Sequence, residues 1–390
     1  MSIYQEDGFV RTIAEWLRIF KPEAARIKGL HGSLDAVVIA TLSRTAHASH
    51  LIICRDKEEA LYLQNDLSNL LGQREILLFP MSYKRPYEYE ETENANVLMR
   101  AETLNRLSEH PDSQLIVTYP EALSEKVINR KTLAQNTFSV KRGERLELPF
   151  LEEFLHAYEF EKTDFVYEAG QFAIRGGIID VFSFAHELPY RIELFGDEVD
   201  SIRTFDPGSQ LSVDQLERIN LLPNVQSKLI TEERQSFLDF VPAHTRIWLK
   251  DTELLVECLG KCFDKATARF DAILKESGQT KIALAPAELF ETPESIRRKL
   301  SALMILEFGN QYSLPAAVTF SWHSSGQPSF NKNFEILASN MTELQMKGYG
   351  NFISAEQQKQ LERLQGVFDE IQPGLRFTPL TFSVREGFVD

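Results

Sequence analysis

Two places in this 390-residue chain hold residues whose types and spacing could do chemistry. The first is Gly29-Leu30-His31-Gly32-Ser33-Leu34-Asp35-Ala36. A phosphate loop needs glycines so that backbone N–H groups can close on a polyanion. It also needs a Lys that reaches the β- and γ-phosphates and a Ser or Thr that holds magnesium. With Gly29 as the first glycine of that pattern, Leu34 replaces the second Gly, Asp35 stands at the Lys position and Ala36 at the Ser/Thr position. An Asp there reverses the charge facing a polyanion, which costs several kcal/mol in a low-dielectric pocket. Gly29, Gly32, Asp35 and Ala36 therefore read as a degenerate, inactive phosphate loop, with His31 as a turn residue. Paired glycines alone are common and carry little weight.

The second place is Tyr190-Arg191-Ile192-Glu193-Leu194-Phe195. Side chains on a strand alternate, so Tyr190, Ile192 and Leu194 share an apolar face that belongs on a core, and Arg191, Glu193 and Phe195 share the other. A solvent-facing Phe beside an Arg is an interface composition. The competing reading is that Phe195 packs under a loop and Arg191 pairs with Glu193 or a neighbouring acid. Arg175 lies in the preceding strand, where a meander can set it beside Arg191. Glu193 either orients the arginines or is simply solvated. Elsewhere the chemistry is thin. Cys54 stands alone, and Cys258 and Cys262 are one helical turn apart without the further ligands a zinc site needs. The His residues are scattered, no Ser/His/Asp trio can be assembled, and pairs such as Glu90-Glu91 and Glu152-Glu153 read as solvated faces. No metal site and no cofactor are expected.

The elements that must position these residues change character along the chain. Apolar runs at 51–54, 76–79 and 115–118 read as buried parallel strands, the last two stopped by Pro80 and Pro120. Helical periods separate them, through Ala60, Leu63, Leu67 and Leu71 with Asp56 as cap, and through Val97, Ala101, Leu104 and Leu107. Val37-Val38-Ile39-Ala40 could be a strand, but the period Leu34, Val37, Val38, Leu42 favours a helix over 34–44. Strands alternating with helices predict a doubly wound parallel sheet. From about Lys141 the texture shifts. After a short helix at 150–158, period-two runs at 172–182, 190–195 and 199–205, split by Gly176-Gly177 and Gly196-Asp197, predict an antiparallel meander ending near Pro223. Then α/β texture returns, with a strand at 246–249 and a helix at 253–270. Residues 313–333, rich in Ser, Gly, Pro and Asn, read as a loop or linker. A strand at 351–354 and a helix at 356–370 follow, and the end, Phe388-Val389-Asp390, shows no clear terminal element, which suggests a truncated chain.

Net charge is −15, a field that repels DNA, where binders usually carry a basic footprint. An acidic surface suits a partner that presents basic groups. No apolar run approaches the ~20 residues of a membrane span, and the polar N-terminus has no signal region. A cytoplasmic protein is expected.

The meander also carries a resemblance. Phe172-Ala173-Ile174-Arg175-Gly176-Gly177-Ile178-Ile179-Asp180-Val181-Phe182, followed by Leu188-Pro189-Tyr190-Arg191-Ile192-Glu193-Leu194-Phe195-Gly196-Asp197-Glu198-Val199-Asp200-Ser201-Ile202-Arg203-Thr204-Phe205-Asp206, resembles the domain shared by the excision-repair protein UvrB and the bacterial transcription-repair coupling factors. UvrB keeps an intact phosphate loop and inserts a long, Tyr-rich hairpin. Here the loop is degenerate, and 81–90 runs almost directly into the helix at Val97, leaving no room for a hairpin. Both departures favour the coupling factors, and a weaker similarity extends to Glu386-Gly387-Phe388-Val389-Asp390. The resemblance implies a degenerate helicase-like (P-loop NTPase-type) parallel-sheet α/β domain with an inserted α+β UvrA-binding domain. It divides the chain into 1–122 (α/β, part 1a), 123–224 (UvrA-binding), 225–330 (α/β, part 1b) and 331–390 (start of a small α/β unit). It implies UvrA as partner, with Arg175, Arg191 and Phe195 as contacts. RNA polymerase, DNA and the working ATP site of the translocase would belong to domains outside this chain. The chain itself would then be a non-catalytic recruitment module that couples stalled polymerase to nucleotide excision repair. The alternative is a nucleotide-dependent UvrB-like or helicase-type repair enzyme.

Overall fold

The computed structural model of the chain describes residues 2–45, 48–82, 86–87, 94–135, 137–158, 160–184, 186, 188–221, 234–276 and 284–390. Seven short, apolar strands form one parallel sheet in the order Ala316–Ser321, Ala24–Lys28, Ile305–Phe308, Arg246–Leu249, His50–Ile53, Leu115–Thr118, Leu77–Phe79. Leu51, Ile52, Ile116, Val117, Trp248 and Leu306 are buried, as expected of strands covered on both faces by helices. The mixed α/β class read from the sequence is present. Strands from both α/β segments lie in the same sheet, and the meander is inserted between Leu115–Thr118 and Arg246–Leu249. The run from Leu34 is helix Leu34–Thr45, as its period implies.

One expectation fails. The stretch 313–333 is not all linker: Ala316–Ser321 joins the sheet edge beside Ala24–Lys28. Its burial alternates, with Phe320 inward, and the flanking Ser, Pro and Gly residues concealed so short a run. The chain end also acquires an element, because Phe388–Val389 pairs antiparallel with Ser325–Gly326. The turn at Pro223 and much of the acidic-aromatic stretch, 83–85 and 88–93, lie outside the described residues.

The inserted unit is a six-stranded sheet in the order Ser212–Leu216, Glu198–Phe205, Tyr190–Phe195, Ile178–Val181, Gln171–Arg175, Glu161–Lys162. All neighbours are antiparallel except the last pair. Phe172, Ile179, Val181, Tyr190, Ile192, Val199 and Ile202 turn one face onto Leu151 and Leu155 of the helix Leu148–Ala157. A third unit pairs Phe352–Ser354 with Thr378–Leu380 in parallel across the helix Gln358–Ile371, around Ala338, Met341, Phe368 and Leu375.

Candidate functional site

The face of the inserted sheet opposite its core holds the sequence-predicted trio. Register places Arg191 directly between Asp180 and Arg203, and Glu193 between Ile178 and Ser201. The pairing slips once, between Glu193 and Leu194, and the extra residue, Asp200, lies on the partner strand. Alternation along Tyr190–Phe195 is therefore unbroken, and Phe195 projects to the side of Arg191 at the end of the hairpin, beside Gly196 with φ +66°.

Phe195 is 85% exposed, the most open large apolar side chain among the described residues. Arg191 is different. Its guanidinium donates from Nε to Asp180 Oδ1 at 2.6 Å and from Nη2 to Asp180 Oδ2 at 2.8 Å. It also donates to Gln210 Oε1 at 3.0 Å and stacks 4.3 Å from the centre of the Phe205 ring. Its side chain is 14% exposed. Hydrogen bonding to Asp180 pushes its pKa up, so the charge is fixed. Arg175 donates to the same Asp180 and, at 2.7 Å, to the Asp164 carbonyl, and lies over the Phe165 ring. Glu193 takes Arg203 and the Ser201 hydroxyl.

The two sequence readings thus divide. Phe195 does not pack under a loop, but Arg191 does pair with a neighbouring acid, Asp180, so the competing reading holds for Arg191 and fails for Phe195. The physical reason is register: Asp180 is cross-strand from Arg191, and a fully buried carboxylate requires cations. Asp180, Phe205 and Gln210 were missed. The one signal was an Asp inside the apolar run Ile178-Ile179-Asp180-Val181, which a surface strand has no need to bury.

The loop Gly29–Ser33 connects the strand Ala24–Lys28 to the helix Leu34–Thr45 at the carboxyl ends of the parallel strands, where open α/β sheets bind ligands. Gly29 and Gly32 have φ of +79° and +54°, so both glycines are conformationally required. A cavity of about 220 Å³ opens beside them, lined among others by Asp35, Glu59, Asp66 and Lys250. Asp35 faces Lys250, whose Nζ lies 2.9 Å from Asp35 and 2.7 Å from Glu59. A lysine does approach the loop, but from the end of another strand and with two carboxylates on it. Burial pushes the Glu59 carboxyl up, but Lys250 and Arg55 outweigh it and hold it at about 2. Ala36 is buried in the main core. Ser33, which the sequence reading passed over, is the hydroxyl that faces the slot: it donates to Asp66 at 2.6 Å. Among the described residues no group of three or more His, Cys, Asp or Glu could hold a metal, and no helix is long and apolar enough to cross a membrane.

Comparison with known proteins accords with this layout. Residues 138–226, which take in the whole antiparallel meander, match the family model described as the UvrB interaction domain. The chain is 31% identical over 217 residues to the transcription-repair-coupling factor of Myxococcus xanthus, covering 54% of this chain and 18% of that protein. It is 32% identical over 213 residues to that of Escherichia coli K12, again 54% and 18%. To that of Bacillus subtilis it is 28% identical over 224 residues, 57% and 19%. The chain spans about a fifth of the length of these relatives. Residues 138–226 are thus similar to a UvrB interaction domain, and more than half of the chain is similar to part of the transcription-repair-coupling factors.

Proposed function

We propose that this chain is a non-catalytic recruitment module that binds UvrA through the outer face of the inserted sheet and so couples a stalled RNA polymerase to nucleotide excision repair. The observation that carries the reading is Phe195: a large aromatic side chain left 85% exposed on the same sheet face as two arginines that are already oriented. Aromatic and Arg side chains dominate interface hot spots. Asp180 holds Arg175 and Arg191 in place, so little side-chain entropy remains to be lost on docking. Carboxylates on UvrA would meet the guanidinium edges, and Phe195 would fill an apolar pocket.

The test is the affinity of purified UvrA for this chain and its variants. Phe195→Ala is expected to weaken binding roughly thirtyfold, the cost of about 2 kcal/mol typical of a truncated hot spot. Arg175→Ala is expected to weaken it too. Unchanged affinity for both places UvrA elsewhere on the chain. The polymerase and DNA contacts of a complete coupling factor are assigned to parts this chain does not cover.

The enzyme reading is disfavoured by Asp35 and by the two acids on Lys250. Calorimetry with ATP and magnesium is expected to show no binding. Micromolar binding abolished by changing Gly32 would restore a nucleotide-dependent enzyme.

A further inference from the structure

The slot beside Gly29–Ser33 is not simply degenerate. Part of its wall is the segment 383–390 of the same chain, which supplies Arg385 and Glu386 to the lining. The Ser33 N–H donates to the Glu386 carbonyl at 3.0 Å, and the Glu386 N–H donates back to Ser33 Oγ at 3.0 Å. Asp66, which takes the Ser33 hydroxyl, also accepts the Arg385 N–H at 2.9 Å. Asn69 donates to the Ser383 carbonyl at 2.9 Å, and the Arg385 guanidinium lies 3.9 Å from the centre of the Tyr62 ring. On the other side, Ser324 Oγ donates to the Gly29 carbonyl at 2.6 Å, and residues 325–326 pair with 388–389. A Cβ on Gly32 would fall 2.5 Å from the Gly387 carbonyl oxygen, so the glycine is needed for the segment's approach as well as for its own φ.

We propose that residues 383–390 are a latch: an intramolecular ligand for the loop, which fastens the separate unit built around Ala338, Met341, Phe368 and Leu375 to the parallel-sheet domain. Two arguments carry this. Ser33 and Asp66 are each only 3% exposed, and both take a hydrogen bond from a backbone N–H of the segment. Lifting the segment breaks both of these hydrogen bonds together with the one from the Ser33 N–H to Glu386, so docking depends on matched donors and acceptors rather than on incidental contact. Second, the Ser33 N–H at the start of the helix, the kind of donor a phosphate loop offers to an anion, is spent on a neutral carbonyl. The loop therefore has a ligand already, and it is peptide.

A latch makes a specific demand: loop and segment must open together, without either core unfolding. Hydrogen exchange on the whole chain, followed by mass spectrometry of peptides covering 29–34 and 383–390, measures this. Both peptides are expected to be protected in the unmodified protein. Ser33→Ala, made on the loop, is expected to speed exchange of the segment about tenfold, the upper end of what one lost hydrogen bond is worth. Arg385→Ala, made on the segment, removes a side chain that lies over the Tyr62 ring and 3.7 Å from the Glu386 carboxylate, and is expected to speed exchange of the loop. Peptides covering 50–53 and 361–368 serve as core reporters and are expected to stay unchanged, which separates unlatching from misfolding. Magnesium ATP at millimolar concentration is expected to leave all four regions as they were. Fast exchange of 383–390 in the unmodified chain overturns the proposal, and so does a change confined to the mutated side. Release of the segment by ATP overturns it as well, because the slot would then be a nucleotide site.

Discussion

Arg191 and Phe195 were two halves of one sequence argument, and the structure gives them different duties. Phe195 touches little and is exposed, so Phe195→Ala is expected to leave the thermal midpoint within about 1–2 °C of the unmodified chain, consistent with a surface change of less than about 0.5 kcal/mol. Arg191 covers a carboxylate that is fully buried. Removing it leaves Asp180 with Arg175 as its remaining cation and strips a cation from the Phe205 ring. Arg191→Ala is expected to destabilise the chain by about 2–3 kcal/mol in urea unfolding, below the full cost of an unpaired buried charge because Arg175 remains. Arg191→Ala combined with Asp180→Ala is expected to recover part of that loss. A single Arg191→Ala with unchanged stability would show that water replaces the guanidinium freely, and then loss of UvrA binding in that variant could be read directly as a lost contact.

At the scale of elements, the local signals in the sequence are those of ordinary physical chemistry. Asp56 caps the helix Lys57–Leu71 by accepting the Glu59 N–H at 2.8 Å, the role its position before a helical period implied. Asp56→Ala is expected to cost about 1 kcal/mol, read as a lower urea midpoint at constant slope. Gly29 is a stricter case. Its φ is +79°, and a Cβ would sit 2.0 Å from the Trp322 carbonyl oxygen, so Gly29→Ala combines backbone strain with a clash against a neighbouring strand. It is expected to cost more than the ~1–2 kcal/mol of the left-handed conformation alone; a loss below that would mean the strand end at Trp322 yields easily. The strand Ala316–Ser321 was illegible for the converse reason. Half-buried at a sheet edge, it needs one inward Phe rather than a long apolar run, and its identity depends on pairing with Ala24–Lys28, nearly 300 residues away.

At the scale of the whole molecule, two expectations follow. His50 is fully buried at the centre of the sheet and accepts the Trp248 indole N–H at 3.0 Å. Burial, reinforced by Arg74 and Arg246, lowers its pKa to about 3, so it stays neutral in the folded chain while an unfolded His gains a proton near 6.5. The unfolded state then binds more protons between these values, and stability falls with pH through that window, by about 2 kcal/mol from pH 6.5 to 5. Glu59, held at about 2, adds a further loss below about pH 4.5. Urea midpoints at pH 7 and pH 5 test this, and His50→Asn is expected to flatten the upper part of the slope. With a net charge of −15, the chain is also expected to bind duplex DNA no better than the ~10⁻⁴–10⁻⁶ M of non-specific binders at physiological salt. Nanomolar binding in a gel shift would reveal a basic patch that the net charge conceals.

The amino-acid sequence by itself determined which segments alternate and with what period. That was enough for the parallel sheet, the meander, the side of the strand on which Phe195 stands, and the likeness to the UvrB interaction domain. These are properties of neighbours along the chain, where side-chain direction follows from φ and ψ alone. Tertiary structure decided what depends on distant pairs. Asp180 captures Arg191 only once two strands choose a register. Lys250 meets Asp35 across 215 positions, and Glu386 reaches Ser33 across 353. Such contacts leave no periodic trace, because the residues that make them are polar, isolated and set by how whole elements close on one another.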